Sequence, residues 1–186
     1  MTGDTLDPSD GDLLERIKIG DMAAFDAFYR RYENRVFRFV SRKSNDPIGA
    51  ADILHETMMA IWKSAGHFEG RSSVSTWVFG IAYRKTMDHF RKHKREDLMD
   101  EVPEQVDDSP DQLQTLSDSE TGDQISKCLD GLSPSHRAVI NLAFFEDMAY
   151  PEISQVLDTA EGTVKTRVHY AKKLLRRCLE SHGGLE

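Results

Sequence analysis

The sequence predicts an all-α protein: two small helical domains joined by a flexible acidic linker. Three features support this. Apolar residues recur at helical spacing almost throughout, and the alternation expected of strands is nearly absent. Charge is segregated: residues 1–95 carry 16 Lys and Arg against 13 Asp and Glu, residues 96–123 carry 11 acidic residues and no Lys or Arg, and residues 124–186 carry eight of each. The acidic stretch also holds Pro103, Pro110 and only scattered apolar residues. Like charges at that density repel, and the little apolar area available does not offset chain entropy. The expected layout is a disordered start over 1–11, a domain over 12–96, the linker over 97–122, a second domain over 123–180 and a disordered tail over 181–186.

The first helix is expected from about Asp12 to Ile19. A second begins near Met22 and places Phe25, Phe28, Tyr29, Tyr32, Val36, Phe37 and Val40 on one side. Asp46 followed by Pro47 supplies a cap and a first-turn proline for a third helix. That helix runs to about Ala65, with Ile53, Leu54, Met58, Ile61 and Trp62 apolar. Gly66 and Gly70 bracket a loop. The fourth helix begins at Ser73 or Ser75 and runs to about Arg95. Its first half is apolar and aromatic (Trp77, Val78, Phe79, Ile81, Ala82, Tyr83) and its second half basic (Arg84, Lys85, His89, Arg91, Lys92, His93, Lys94, Arg95). Trp77, Phe79 and Ile81 sit at core-like spacing. Helices resume over Asp123–Leu132. Ser133-Pro134 opens another, to about Glu146, and Pro151–Leu157 forms a short one. Asp158-Thr159 makes a turn, and Thr159 is the expected cap of a last helix over Ala160–Leu179.

No apolar run reaches the roughly 18 residues that span a bilayer, and the start of the chain lacks the layout of a signal peptide. An unsecreted, cytoplasmic protein without membrane insertion is expected. The net charge of −8 alone argues against nucleic acid, but the acidity comes from one segment, and basic runs stand outside it. Cys128 and Cys178 match no metal spacing. They are expected as buried free thiols, with a redox pair as the alternative. Asp52, His55 and Glu56 share a helix face, yet Met59 stands where a second zinc-binding His would be needed. That face reads as a partner surface rather than the centre of a metal enzyme or hydrolase. No catalytic residue, metal or cofactor is expected.

A short helix, a tight turn and a longer basic helix form the helix-turn-helix pattern. On the last helix, Val164, Val168, Ala171 and Leu175 make an inward stripe. Thr166, His169, Lys173 and Arg176 point away, flanked by Lys165, Tyr170, Lys172 and Arg177. Lys165, Thr166 and His169, with Thr163 and Arg167 beside them, are the candidates for base edges in the major groove. Lys172, Lys173 and Arg176 are better placed for phosphates. In the first domain, aromatic rings beside cations suit unpaired bases and their backbone. The loop from Phe68 to Val74, with Gly70, Arg71 and Ser72, could receive a base taken out of the stack.

Together these motifs resemble the extracytoplasmic-function (ECF, group 4) sigma factors of the bacterial sigma-70 family. Ala51 to Trp62 resembles region 2.2, Ser75 to Arg95 regions 2.3 and 2.4, Leu132 to Ile140 region 4.1, and Pro151 to Arg167 region 4.2. The resemblance implies a non-enzymatic factor that delivers core RNA polymerase to promoters. Asp52, His55, Glu56 and Trp62 would dock on the polymerase clamp helices. Phe68, Arg71, Ser72, Ser75 and Trp77, with Arg84, Lys85, Arg91 and Lys92, would open and hold the −10 element. The last helix would read the −35 element, and the linker would follow the polymerase RNA path. The resemblance also implies promoter DNA and an anti-sigma protein as partners, and a monomer when free. His55 stands where the family usually has Gln, Tyr83-Arg84 where it often has Arg-Asn, and Asp158 where it usually has Gly. The rival reading is a stand-alone helix-turn-helix regulator on an operator, which leaves residues 12–95 without a role.

Overall fold

A computed structural model describes residues 7–44, 47–97 and 120–181. The described residues form helices α1 (Asp10–Lys18), α2 (Met22–Ser44), α3 (Pro47–Ser64), α4 (Val74–Asp97), α5 (Glu120–Asp130), α6 (Pro134–Ile140), α7 (Tyr150–Leu157) and α8 (Glu161–Ser181). A short 3-10 turn, Ala65–His67, follows α3, and a π turn, Asn141–Phe145, follows α6. No strand occurs among the described residues. The expected cap Asp46, the greater part of the linker and the outermost parts of both tails lie outside them.

Local chemistry sets the helix starts. At α1 the Ser9 hydroxyl accepts from the Asp12 N–H at 3.1 Å while the Asp12 carboxylate accepts from the Ser9 N–H at 3.1 Å. This reciprocal pair satisfies two donors that a helix end leaves open. It moves the start of α1 to Asp10, two residues before the expected one. Asp21 does the same work for α2, accepting from the Ala23 and Ala24 N–H groups. Ser133 caps α6 by accepting from the His136 N–H, with Pro134 in the first turn.

Three element expectations need correction. The helix from Pro134 does not stay α-helical to Glu146; its last five residues widen into the π turn, which leaves Phe144 and Phe145 exposed. Thr159 does not open the last helix. The Ala160 carbonyl does, accepting from the Thr163 and Val164 N–H groups, while the Ser154 hydroxyl binds the Thr159 carbonyl. Finally, α5 begins at Glu120 and not at Asp123.

The cysteines are not free thiols. Cys128 of α5 and Cys178 of α8 form a disulfide with Cα atoms 5.7 Å apart. Apolar spacing pointed both inward, but the seam they point into is shared, and that depends on how α5 packs on α8.

One apolar cluster runs through both halves of the chain. Phe28, Val36, Ile61 and Phe79 of the first half join Val139, Leu142, Ile153 and Val164 of the second, each fully buried. Burying such a side chain contributes about 1.5–3 kcal/mol relative to exposure. Phe79 meets Phe39 edge-on at 5.3 Å. Helix α7 lies along α4, and α6 touches α2, so the two halves pack together. A smaller cluster of Leu129, Leu132, Ile140 and Ala171 seats α5 on the second half.

Candidate nucleic-acid interface

The candidate recognition element is α8. Val164, Val168 and Ala171 are buried and Leu175 packs beside them, so the inward stripe is fixed against α6 and α7. The opposite side is therefore presented by construction. Lys165, Thr166, His169, Lys172, Lys173 and Arg176 are all exposed, and Thr163 and Arg167 are half-buried at its edge. Asp158 adopts φ 47° and ψ 55° to make the turn from α7. Asp is among the few residues that visit the left-handed region readily.

Several of these side chains carry intramolecular partners. Lys165 pairs with Glu161 at 2.7 Å, which holds its ammonium above the ordinary lysine range. Arg176 pairs with Glu180 at 2.8 Å. The Thr166 hydroxyl donates to the Gly162 carbonyl at 2.9 Å. The Lys172 ammonium stands 4.8 Å from the centre of the Phe144 ring. The i,i+4 ion pairs are exposed and so contribute little. They can be exchanged for phosphate or base contacts at low cost.

In the first half, Phe68 and Trp77 lie 5.1 Å apart and both are half-buried. Gly70 takes φ 70° in the loop between them, a conformation glycine adopts without strain. Arg71 is exposed and pairs with Glu69 at 2.8 Å. The hydroxyl of Ser72 donates to the Ser73 carbonyl at 3.3 Å. Phe79 and Ile81 belong to the core. Along the outside of α4, Arg84, Arg91 and Lys92 are exposed, with Arg91 paired to Asp88. Lys85 reaches Glu56 of α3 at 3.2 Å.

On α3, Asp52, His55 and Glu56 are exposed together. Trp62, on the same side, packs edge-on against Phe25 at 5.0 Å. No group of three or more His, Cys, Asp or Glu suited to a metal ion occurs among the described residues.

Ser75 is the site residue whose surroundings differ most from the sequence expectation. Its hydroxyl accepts from Arg35 at 3.1 Å, and Arg35 also binds Glu146. Burial raises the Glu146 carboxyl above the ordinary glutamate range, although Arg35 opposes this. Beside it, Ser73 and Thr76 both donate to Glu152. Burial pushes the Glu152 carboxyl up, but hydrogen bonds from Thr76, the Ala149 N–H and Ser73 outweigh it and hold it low. The roles of Arg35, Glu146 and Glu152, and the pairing of Ser73 and Thr76 with Glu152, left no mark in the sequence. Partners 76 to 111 positions apart leave no periodic trace.

The comparisons with known proteins agree with this geometry. The family model for Sigma-70 region 2 matches residues 28–96, and that for Sigma-70 region 4 matches residues 122–175. The chain is 30% identical over 189 residues to the ECF RNA polymerase sigma factor SigK of Mycobacterium tuberculosis, covering 97% of this chain and 99% of the relative. It is 31% identical over 175 residues to SigE of Mycolicibacterium smegmatis, covering 88% of this chain and 65% of that longer protein. Among solved structures, CnrH in complex with the cytosolic domain of CnrY shares the fold at a TM-score of 0.66 and 20% identity, over 92% of this chain and 97% of that one. The sigma factor RpoE of Bartonella quintana, solved with the anti-sigma factor NepR, gives 0.65 and 25%, over 82% of this chain and 96% of that one. With two region models in order and a full-length relative, the chain belongs to the ECF RNA polymerase sigma factors of the sigma-70 family.

Proposed function

We propose that this protein, a group 4 member of its family, binds the clamp helices of core RNA polymerase through Asp52, His55, Glu56 and Trp62. It acts in the bacterial cytoplasm, is a monomer when free, and does no chemistry of its own. Promoter choice is divided between its halves. Region 4 reads the −35 duplex with the outward face of α8: Thr163, Lys165, Thr166, Arg167 and His169 toward base edges, Lys172, Lys173 and Arg176 toward phosphates. Region 2 captures the melted −10 strand with Phe68, Arg71, Ser72, Ser75 and Trp77, and Arg84, Lys85, Arg91 and Lys92 follow its backbone.

The single observation that carries this reading is α8 itself. A buried aliphatic stripe locks its rotation, so six polar or cationic side chains face outward from a helix-turn-helix. Such a face accounts for duplex binding; the first half, with its exposed α3 surface, accounts for polymerase. The likeness to RpoE, solved with its anti-sigma partner, supports control of this chain by an anti-sigma protein too.

Transcription in vitro tests the proposal. Bacterial core polymerase, inactive at promoters alone, should start at defined sites on genomic fragments when this chain is added, and the two should co-elute on gel filtration. A chain that binds duplex DNA as a dimer but never co-elutes with polymerase would instead be a stand-alone regulator.

A further inference from the structure

A carboxylate stands in the first turn of the helix that faces DNA. Glu161 opens α8, and from there to Leu179 it is the only acidic residue. An anion on a surface that approaches phosphates opposes binding, so Glu161 works against the cations around it. Its Oε1 lies 2.7 Å from Lys165 Nζ, one turn along the same flank, and the two side chains are 43% and 59% exposed. An ion pair so exposed adds little stability. Both ends keep unused capacity, because an ammonium has several donors and a carboxylate several acceptor sites beyond the one bond they share. Burial of Val164 and Val168 fixes the rotation of this turn, so the pair stays outside the core. In a helix-turn-helix it is the N-terminal residues of the second helix that reach base edges.

We infer that Glu161 and Lys165 read one G·C base pair of the −35 element as a unit, the Lys165 ammonium donating to guanine O6 or N7 and the Glu161 carboxylate accepting from the cytosine N4 amine. This rests on the proposed reading of the duplex by α8, and adds Glu161 to it as a specificity-determining residue. In the major groove a G·C pair sets the acceptors of its purine beside the donor of its pyrimidine. The apposed ammonium and carboxylate present the matching donor and acceptor side by side. An A·T pair in the same place turns the adenine N6 amine toward the ammonium and thymine O4 toward the carboxylate, so donor meets donor and acceptor meets acceptor. Discrimination therefore comes from repulsion as well as attraction. The charge of Glu161 lowers affinity for DNA at large and raises selectivity at one base pair.

The test uses holoenzyme assembled from the full chain and core polymerase, on promoters randomised across the −35 element, with the sequences that form open complexes counted. Wild type should favour G·C over A·T at one position by roughly tenfold, the discrimination expected of one good base contact. Glu161→Ala should cut that preference to about threefold or less, leave the other positions unchanged, and bind nonspecific duplex at least as tightly as wild type. Glu161→Asp keeps the first-turn charge that suits the helix dipole but is shorter by a methylene. It should lose the same preference while keeping the wild-type urea midpoint, whereas a role confined to the helix end leaves both unchanged. Because the pair acts as a unit, Glu161→Ala/Lys165→Ala should lose no more of this preference than Lys165→Ala alone. A preference that survives Glu161→Ala or Glu161→Asp, a loss spread evenly over all sequences, or a double variant whose loss is the sum of the singles each overturns the inference. If Lys165→Ala and His169→Ala also leave every position unchanged, duplex reading by α8 fails as a whole; if those two shift the preferences and Glu161→Ala does not, this inference fails alone.

Discussion

Asp158 takes φ 47° because the turn between α7 and α8 demands a left-handed residue, and two substitutions separate geometry from chemistry there. Asp158→Gly should leave stability nearly unchanged, since glycine enters that region freely. Asp158→Val should cost about 1–2 kcal/mol, because a β-branched side chain crowds the backbone in the left-handed region where short polar Asp is tolerated; urea midpoints measure both. On α8, Lys165→Ala and His169→Ala should weaken some promoters far more than others, whereas Lys173→Ala should weaken all alike and flatten the salt dependence by about one unit of slope. Equal losses on every promoter from all three would remove the base-reading roles. The caps carry a pH signature. Asp12 is held below the ordinary aspartate value by the Ser9 hydroxyl and N–H, and Asp21 by the Ala24 N–H and then by Arg16. A depressed native value means that the stabilisation is complete above the ordinary value of 3.8 and is lost as pH falls through the lower, folded one. Amide exchange at the starts of α1 and α2 should therefore be insensitive to this effect at pH 5–7 and lose protection below about pH 4.

At the scale of elements, helix identity was legible in the sequence because it is written in local terms. Ser133-Pro134 announced the start of α6, and the stripe Val164, Val168, Ala171 fixed the rotation of α8, and with it the outward face. What escaped was set by neighbours distant in sequence. The π turn at Asn141–Phe145 obeys no residue pattern; it ends α6 with Glu146 against Arg35. The bridge between Cys128 and Cys178 joins residues 50 positions apart, and apolar spacing could say only that each pointed inward. The bridge also ties down α5, whose Leu129, with Leu132 just beyond the helix, sits in the smaller cluster. Closing a loop of that length removes entropy from the unfolded chain. Reduction, or Cys128→Ser with Cys178→Ser, should therefore cost about 2–4 kcal/mol in denaturant unfolding, and exchange protection should fall first in α5. Unchanged unfolding on reduction would mean that α5 is held by its leucines alone.

For the whole molecule, the continuous apolar cluster bears on cooperativity. Two helical domains on a tether would unfold separately, each at its own midpoint. Here Phe79 of region 2 and Leu142 and Ile153 of region 4 are fully buried in one cluster, so opening the contact exposes apolar surface on both sides at once. The chain has two tryptophans, Trp62 and Trp77, both in region 2, so fluorescence reports that half alone. Leu142→Ala removes a buried side chain from the other half and should cost about 2–4 kcal/mol. If the halves unfold together, this remote substitution lowers the fluorescence-detected urea midpoint by the same amount as the midpoint seen by circular dichroism. If they unfold separately, fluorescence does not move. Introducing Leu142→Ala into the Arg35→Glu background should shrink its effect on fluorescence while keeping its effect on region 4 helicity, because Arg35→Glu breaks a contact that couples the halves and coupled substitutions do not add. A fluorescence midpoint that ignores Leu142→Ala in the wild-type background would show that the shared cluster does not link the two halves energetically.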